Sequence, residues 1–258
     1  MNFDDDRQGS GTAEWAEKCL NISVGCSHNC IYCYARANSV RFGLRAKDDW
    51  EREELTKKAF MTSYPKHEGA PVVMMPSSHD ITPAIVEPFI RVAKLVLGKG
   101  NRMLIVSKPH LDCIDRVTTE LAEWKELILF RFTIGSMKEA VTDLWEPEAP
   151  KPEERIAALS LALERGYRTS VSIEPMLEGC DGAIAVVEAV RSLISDTVWI
   201  GKMNKARSRV DGEYALAVSI MENLQRDEEI MRLYHHFKAD PIIRWKDSIK
   251  EVVGRLLP

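Results

Sequence analysis

Three cysteines stand within one short stretch, Cys26-Ser27-His28-Asn29-Cys30-Ile31-Tyr32-Cys33, at CxxxCxxC spacing. Thiolate sulfur is the soft ligand that iron–sulfur clusters select. Three thiolates on one tight loop can hold three irons of a [4Fe–4S] cube and leave the fourth open to a small molecule. An aromatic residue, Tyr32, directly precedes the last cysteine. Zinc is the competing reading, but structural zinc takes four ligands in paired spacings, and no second CxxC or HxxxH follows. His28, inside the loop, is poorly placed to close a tetrahedron with all three cysteines. A disulfide framework does not suit a chain of this size with no secretory signal. The metal ligands expected are therefore Cys26, Cys30 and Cys33.

Composition bounds the rest. At 258 residues, 45% hydrophobic and 29% charged, the chain reads as an ordinary globular protein with a substantial core. A net charge of −4 gives no overall basic field to advertise nucleic acid. No apolar run is long enough to span a bilayer, so no membrane partner is expected. The acidic start, Met1 to Asp6, is not a secretory signal, and six cysteines unpaired in pattern suit a reducing cytoplasm.

The loop needs elements to position it. Residues 1–18 read as a polar N-terminal arm. Cys19–Val24 reads as a first strand, and Tyr34 to about Leu44 as a helix after the loop. The charged stretch 47–58 reads as a solvated helix or insertion. Strands are predicted over 71–75, 103–106, 127–134, 167–173 and 197–200. Helices are predicted over 81–97, 111–124, 138–145 with 152–166, 184–194, 211–238 and 246–256. Pro83 near the start and Gly98 at the end bound the first of these. Strand and helix alternate six times, which gives right-handed βαβ units and a parallel sheet. The domain expectation is an arm over 1–18, a barrel over 19–210 and C-terminal helices over 211–258. An open doubly wound sheet and a curved, incomplete barrel both satisfy this pattern, although no glycine-rich dinucleotide fingerprint follows the first strand. Either way, ligands sit at the C-terminal strand ends. Those ends read SSHD at 77–80, SKP at 107–109, TIGS at 133–136, IEP at 173–175 and GKMN at 201–204.

CxxxCxxC with an aromatic before the third cysteine resembles the signature of the radical S-adenosylmethionine (SAM) enzymes. The wording GCSHNCIYCYAR is similar to their spore-photoproduct-lyase-like, or DNA repair photolyase-like, branch. The likeness covers roughly residues 20 to 205. Trp145-Glu146-Pro147-Glu148-Ala149-Pro150 with Arg155 resembles that branch's LEP-x-AP…R element, and Trp199 to Lys202 its sixth-strand ending. The resemblance implies a partial (β/α)6 barrel, α/β in class, with the 211–258 helices as an extension. It implies that the open iron is chelated by SAM and that an electron splits SAM into methionine and a 5′-deoxyadenosyl radical. That radical would abstract hydrogen from a substrate. It assigns Lys108 to the SAM carboxylate, Ser77 and Ser78 to its amino group, and Thr133 to a SAM contact. Tyr32, Asp80, Ser136 and Glu174 complete the expected cofactor-binding set.

The departures narrow the reaction. Spore photoproduct lyases carry a hydrogen-donating cysteine on the second-strand loop, and here that loop, PSSHDITP, holds none. Cys19 and Cys113 read as packing residues. Cys180, placed on a loop after the fifth strand, is the remaining candidate donor and the one catalytic candidate. Repair of spore photoproduct is therefore not expected, although cleavage of SAM is. The branch makes a DNA- or nucleoside-related substrate the first guess. Arg36, Arg41, Arg45 and Lys47 after the cysteine loop, and Lys202, Lys205, Arg207 and Arg209 after the sixth strand, could meet phosphates. The expected electron donor is a flavodoxin or ferredoxin. A second reading stays open: a non-catalytic iron–sulfur or zinc protein that uses the fold as a scaffold.

Overall fold

The computed structural model describes residues 11–69 and 71–257. Residues 1–10 of the expected arm lie outside the described residues. The strands are β1 (Lys18–Cys19), β2 (Ser23–Val24), β3 (Glu54–Leu55), β4 (Val72–Met74), β5 (Arg102–Ser107), β6 (Ile128–Thr133), β7 (Arg168–Ile173), β8 (Val198–Ile200) and β9 (Ile243–Trp245). The helices are α1 (Tyr34–Arg41), α2 (Val86–Leu97), α3 (Leu111–Glu120), α4 (Glu139–Trp145), α5 (Pro152–Glu164), α6 (Gly179–Val190), α7 (Ala206–Arg209), α8 (Ala215–Leu224), α9 (Asp227–Phe237) and α10 (Asp247–Leu256). Seven strands form one parallel sheet in the order β1-β4-β5-β6-β7-β8-β9, and β2 pairs with β3 as an antiparallel ribbon. The sheet curls into a half-barrel with helices outside it.

Alternation along the strands builds two layers. Val73, Met103, Ile105, Ile128, Phe130, Phe132, Val171 and Ile200 pack outward into the main core. Val72, Met74, Leu104, Leu129 and Trp199 face the barrel interior with Trp15. Arg131 shares that inward parity and is fully buried, its guanidinium stacked on Trp15 at 5.0 Å and Trp199 at 5.2 Å. The same parity turns Thr133 and Glu174, at the ends of β6 and β7, inward. α2 closes on the sheet because Val86, Phe89, Ile90, Ala93, Val96 and Leu97 recur at helical spacing and are all buried. Pro152 opens α5 at a position where its missing N–H costs nothing.

Five expectations change. The predicted first strand splits: Lys18 and Cys19 stay in the sheet, then Ile22 N turns to His79 Nε2 and Thr56 N to the Ile22 carbonyl. The stretch 47–58 is not only a solvated face, because it supplies β3 to the ribbon under the cysteine loop. α6 starts five residues before the predicted 184. Gly179 has φ +65°, and a Cβ there would meet the Leu224 carbonyl at 2.5 Å. The predicted helix 211–238 breaks between α8 and α9, because Gln225 turns inward to accept from Met203 N (2.8 Å) and donate to the Met176 carbonyl (3.0 Å). β9 adds a seventh strand beyond the predicted six, three residues being too short for a periodic signal. Lys246, just after β9, is buried and meets Glu14 at 2.8 Å and the Gly11 carbonyl at 2.7 Å, joining the two open edges of the half-barrel.

Candidate functional site

The cysteine loop is tied down on three sides. Cys26 N donates to the Trp50 carbonyl (2.9 Å) and Ile31 N to the Trp145 carbonyl (3.0 Å). Glu53 accepts from Ser27 N at 3.1 Å and from Thr82 Oγ1 at 2.7 Å. Gly25, at φ +89°, is required before Cys26, since a Cβ would stand 2.2 Å from the Arg52 carbonyl. Asn29 takes a positive φ of 45°, and its side chain accepts from Arg36 Nη1 (3.1 Å). Arg36 also donates to the Ile31 carbonyl (2.7 Å). Cys33 caps α1, its sulfur accepting from Arg36 N (3.4 Å).

A second layer fixes the neighbouring strand ends. Asn21 Oδ1 accepts from Ser77 N (2.7 Å) and Ser78 N (3.0 Å), while Tyr34 OH donates to the Ser77 carbonyl. Asp80 Oδ1 accepts from Lys108 N at 2.7 Å and Ser107 Oγ at 3.1 Å. Its Oδ2 lies 2.9 Å from His28 Nδ1, 3.5 Å from Lys108 Nζ and 3.8 Å from Cys26 Sγ. Burial works to raise the Asp80 carboxyl, but the Lys108 charge and His28 hold it well below the usual carboxylate range. Tyr32 OH donates to Glu146, whose other oxygen pairs with Arg155 at 2.6 Å, both side chains being fully buried.

A cavity of about 420 Å³ opens over the C-terminal strand ends. Cys26, Cys30 and Cys33 line it together with Tyr32, Ser77, Ser78, Asp80, Lys108, Thr133 and Glu174. Two expected residues fall elsewhere. Ser136 is buried and outside the cavity lining, its hydroxyl donating to Glu178 at the N-terminus of α6 and accepting from Lys138 N (2.9 Å). Cys180 is not on an active-face loop. It lies in the first turn of α6, 2% exposed in the main core, and burial pushes its thiol up to about 11. Sequence reading missed Asn21, Glu53 and Tyr34, since their roles depend on partners tens of residues away. Half of the eight predicted basic residues are engaged with groups of the chain itself. Arg36 is buried in the loop, Arg45 pairs with Glu54 (2.8 Å), Lys47 with Asp211 (2.5 Å) and Arg207 with Glu222 (2.5 Å).

The donor set fits a cluster better than a single ion. Burial raises all three thiols, Cys30 to about 12, while the Lys108 charge works the other way on Cys30 and Cys33. Two sulfurs on one tetrahedral zinc, each about 2.3 Å from it, stand about 3.8 Å apart. Among the described residues, ligand atoms gathered within 4.8 Å of one another come from Cys26, His28 and Asp80, not from the three cysteines. The three sulfurs spread wider than one ion needs, and a zinc at the tight trio would meet the Lys108 charge already on Asp80.

No protein-family model matches the sequence. ORF301, an uncharacterised protein of Acidianus two-tailed virus, is 27% identical over 176 residues, covering 63% of this chain and 56% of that one. A spore photoproduct lyase variant with bound AdoMet and dinucleoside spore photoproduct superposes with a TM-score of 0.55 at 15% identity, covering 94% of this chain and 75% of the lyase. Streptococcus suis SuiB bound to precursor peptide SuiA gives 0.56 at 12%, covering 93% and 52%. SuiB bound to S-adenosylmethionine gives 0.53 at 12%, covering 89% and 51%. The fold is that of the radical SAM enzymes. The radical SAM fold thus accounts for nearly the whole chain, which spans only about half the length of SuiB. The likeness read from GCSHNCIYCYAR holds at the level of the fold. No described helix is long and apolar enough to cross a membrane.

Proposed function

We propose that this chain is a radical SAM enzyme in which Cys26, Cys30 and Cys33 hold a [4Fe–4S] cluster and the cavity beside them takes SAM. One observation carries the reading: Cys26 and Cys30, both buried, and the half-buried Cys33 line, with no fourth cysteine among the described residues, the same cavity as the polar ends of β4, β5, β6 and β7. A structural metal site has no need of such a cavity. When bound, the cluster supplies the electron that splits SAM into methionine and a 5′-deoxyadenosyl radical. The chain's own residues bind and orient. Lys108 offers its ammonium to the SAM carboxylate, and the Ser77 and Ser78 loop, pinned by Asn21, offers oxygens to the amino group. Thr133 and Glu174 present side chains from the next two strand ends, and Tyr32 shields the loop from the Glu146 side. The substrate is proposed to be nucleoside-related, in line with the lyase solved with a dinucleoside, and the reductant a flavodoxin or ferredoxin. Thiol-terminated repair of spore photoproduct is not part of the proposal, because the 76–83 loop has no cysteine and Cys180 is in the core.

SAM binding by the reconstituted protein tests this. Lys108→Ala removes a charge-assisted contact and is expected to weaken SAM binding by roughly tenfold or more. Equal affinity in the variant and the wild type would mean that the carboxylate sits elsewhere.

A further inference from the structure

The cavity also holds two cations that the SAM reading leaves unused. Lys202 and Arg209, from the segment after β8, line it beside Asn204. Arg209 is half-buried, and its guanidinium lies 6.0 Å from the centre of the Tyr34 ring. Tyr34 is fixed in turn by its bond to the Ser77 carbonyl. Among the described residues, neither cation forms an ion pair. The two acidic residues of the lining are occupied: Asp80 by Lys108 at 3.5 Å, and Glu174 by Lys246 at 3.4 Å, a lysine it shares with Glu14. Elsewhere on this face the neutralisation is wider. Arg45, Lys47 and Arg207 all end on carboxylates of the chain itself.

A protein that tracks a nucleic-acid backbone spreads many unpaired cations along a groove. Here, with Arg36 buried in the cysteine loop, four basic residues on this face are without an ion pair among the described residues: Arg41 and Lys205 are exposed outside the cavity lining, and Lys202 and Arg209 line it. A planar guanidinium held against a ring, with an ammonium beside it, suits a single tetrahedral or planar oxyanion.

Resting on the SAM reading for the cluster side of the cavity, we propose that Lys202 and Arg209 form a clamp for one phosphate or carboxylate of the second substrate. That substrate is therefore a small molecule carrying one oxyanion at this point, not a polyanion.

The test is equilibrium binding to the reconstituted holoprotein, with and without SAM. The probes are thymidine, thymidine 5′-phosphate, thymidine-5′-carboxylic acid and an oligothymidylate. Thymidine carrying either oxyanion is expected to bind roughly tenfold or more tighter than thymidine itself. A preference between the two names the oxyanion. The advantage should vanish in the Lys202→Ala/Arg209→Ala and Lys202→Gln/Arg209→Gln double variants, with thymidine affinity as the control for folding. For the oligothymidylate, the log–log salt slope should be about −0.7, the value for one phosphate contact on a single strand. Equal binding of all three small probes, or an advantage kept in both double variants, would show that these cations only balance charge inside the site. A slope of about −4 or steeper would restore a polyanion. Failure of the wild type to bind SAM would end the proposed function separately, because the SAM-free arm reports on the clamp alone.

Discussion

Alanine in place of Cys26, Cys30 or Cys33 is expected to remove the cluster and SAM cleavage together. The loop has no spare ligand. Cys113 is buried in α3, Cys180 is buried in α6, and Cys19 stands on β1 outside the cavity lining. His28 cannot substitute freely, since Asp80 and His110, at 2.9 and 3.0 Å, occupy its two nitrogens. Changing a residue that merely supports a metal ligand costs about 10- to 100-fold, so losing a ligand should exceed about 100-fold in activity. The fold should survive, because Trp50, Glu53 and Trp145 hold the loop through bonds that do not involve sulfur. Iron and acid-labile sulfide after anaerobic reconstitution check this. Full retention of both in the triple variant would mean that the cluster lies elsewhere or does not exist.

Arg155→Met is expected to give the largest loss of stability. Arg155 and Glu146 are both fully buried and pair at 2.6 Å. Arg155 also donates to the Pro150 carbonyl (2.6 Å) and the Thr133 carbonyl (3.2 Å), tying the 146–150 segment to the end of β6. Removing one partner strands a buried carboxylate, which costs about 3–5 kcal/mol. At roughly 2–4 °C per kcal/mol for a chain near this size, the melting temperature should fall by about 10 °C. Glu146 also receives the Tyr32 hydroxyl, so the damage should reach the cysteine loop and lower iron content. A double change to Glu146→Met and Arg155→Met should recover much of the loss, because apolar replacement of a buried pair is often neutral. The pair also gives a pH signature. Burial raises the Glu146 carboxyl, but Arg155 and Lys108 outweigh it and hold it below its ordinary value. Its stabilisation is therefore present above the unfolded carboxyl range and is lost as pH falls through the folded one. Denaturant unfolding of the single and double variants measures both effects. A midpoint for Arg155→Met equal to the wild type's would show that the pair does not matter to stability.

The parts legible from sequence were those whose signal is local. CxxxCxxC needs no partner to be read, and β4, β5, β6 and β8 announce themselves as short apolar runs because a parallel sheet buries both faces. Strand ends then follow from the alternation, so Ser77, Lys108, Thr133 and Glu174 could be named in advance and do line the cavity. Cys180 failed because its placement depends on where α6 begins, and Gly179 sets that through a contact with Leu224, 45 residues away. β9 failed because three residues carry no period. The basic clusters looked alike in sequence. Distant carboxylates, such as Asp211 for Lys47, mark some of them as structural, and the cavity lining singles out Lys202 and Arg209 from the rest.

The most direct test of the central claim is formation of 5′-deoxyadenosine by the anaerobically reconstituted protein given SAM and dithionite. The account predicts 5′-deoxyadenosine and methionine in equal amounts from the wild type, and neither from Cys30→Ala. A protein that retains iron and sulfide, binds SAM and yet yields no 5′-deoxyadenosine above the Cys30→Ala background would contradict it, and would leave a scaffold that keeps the fold without the chemistry.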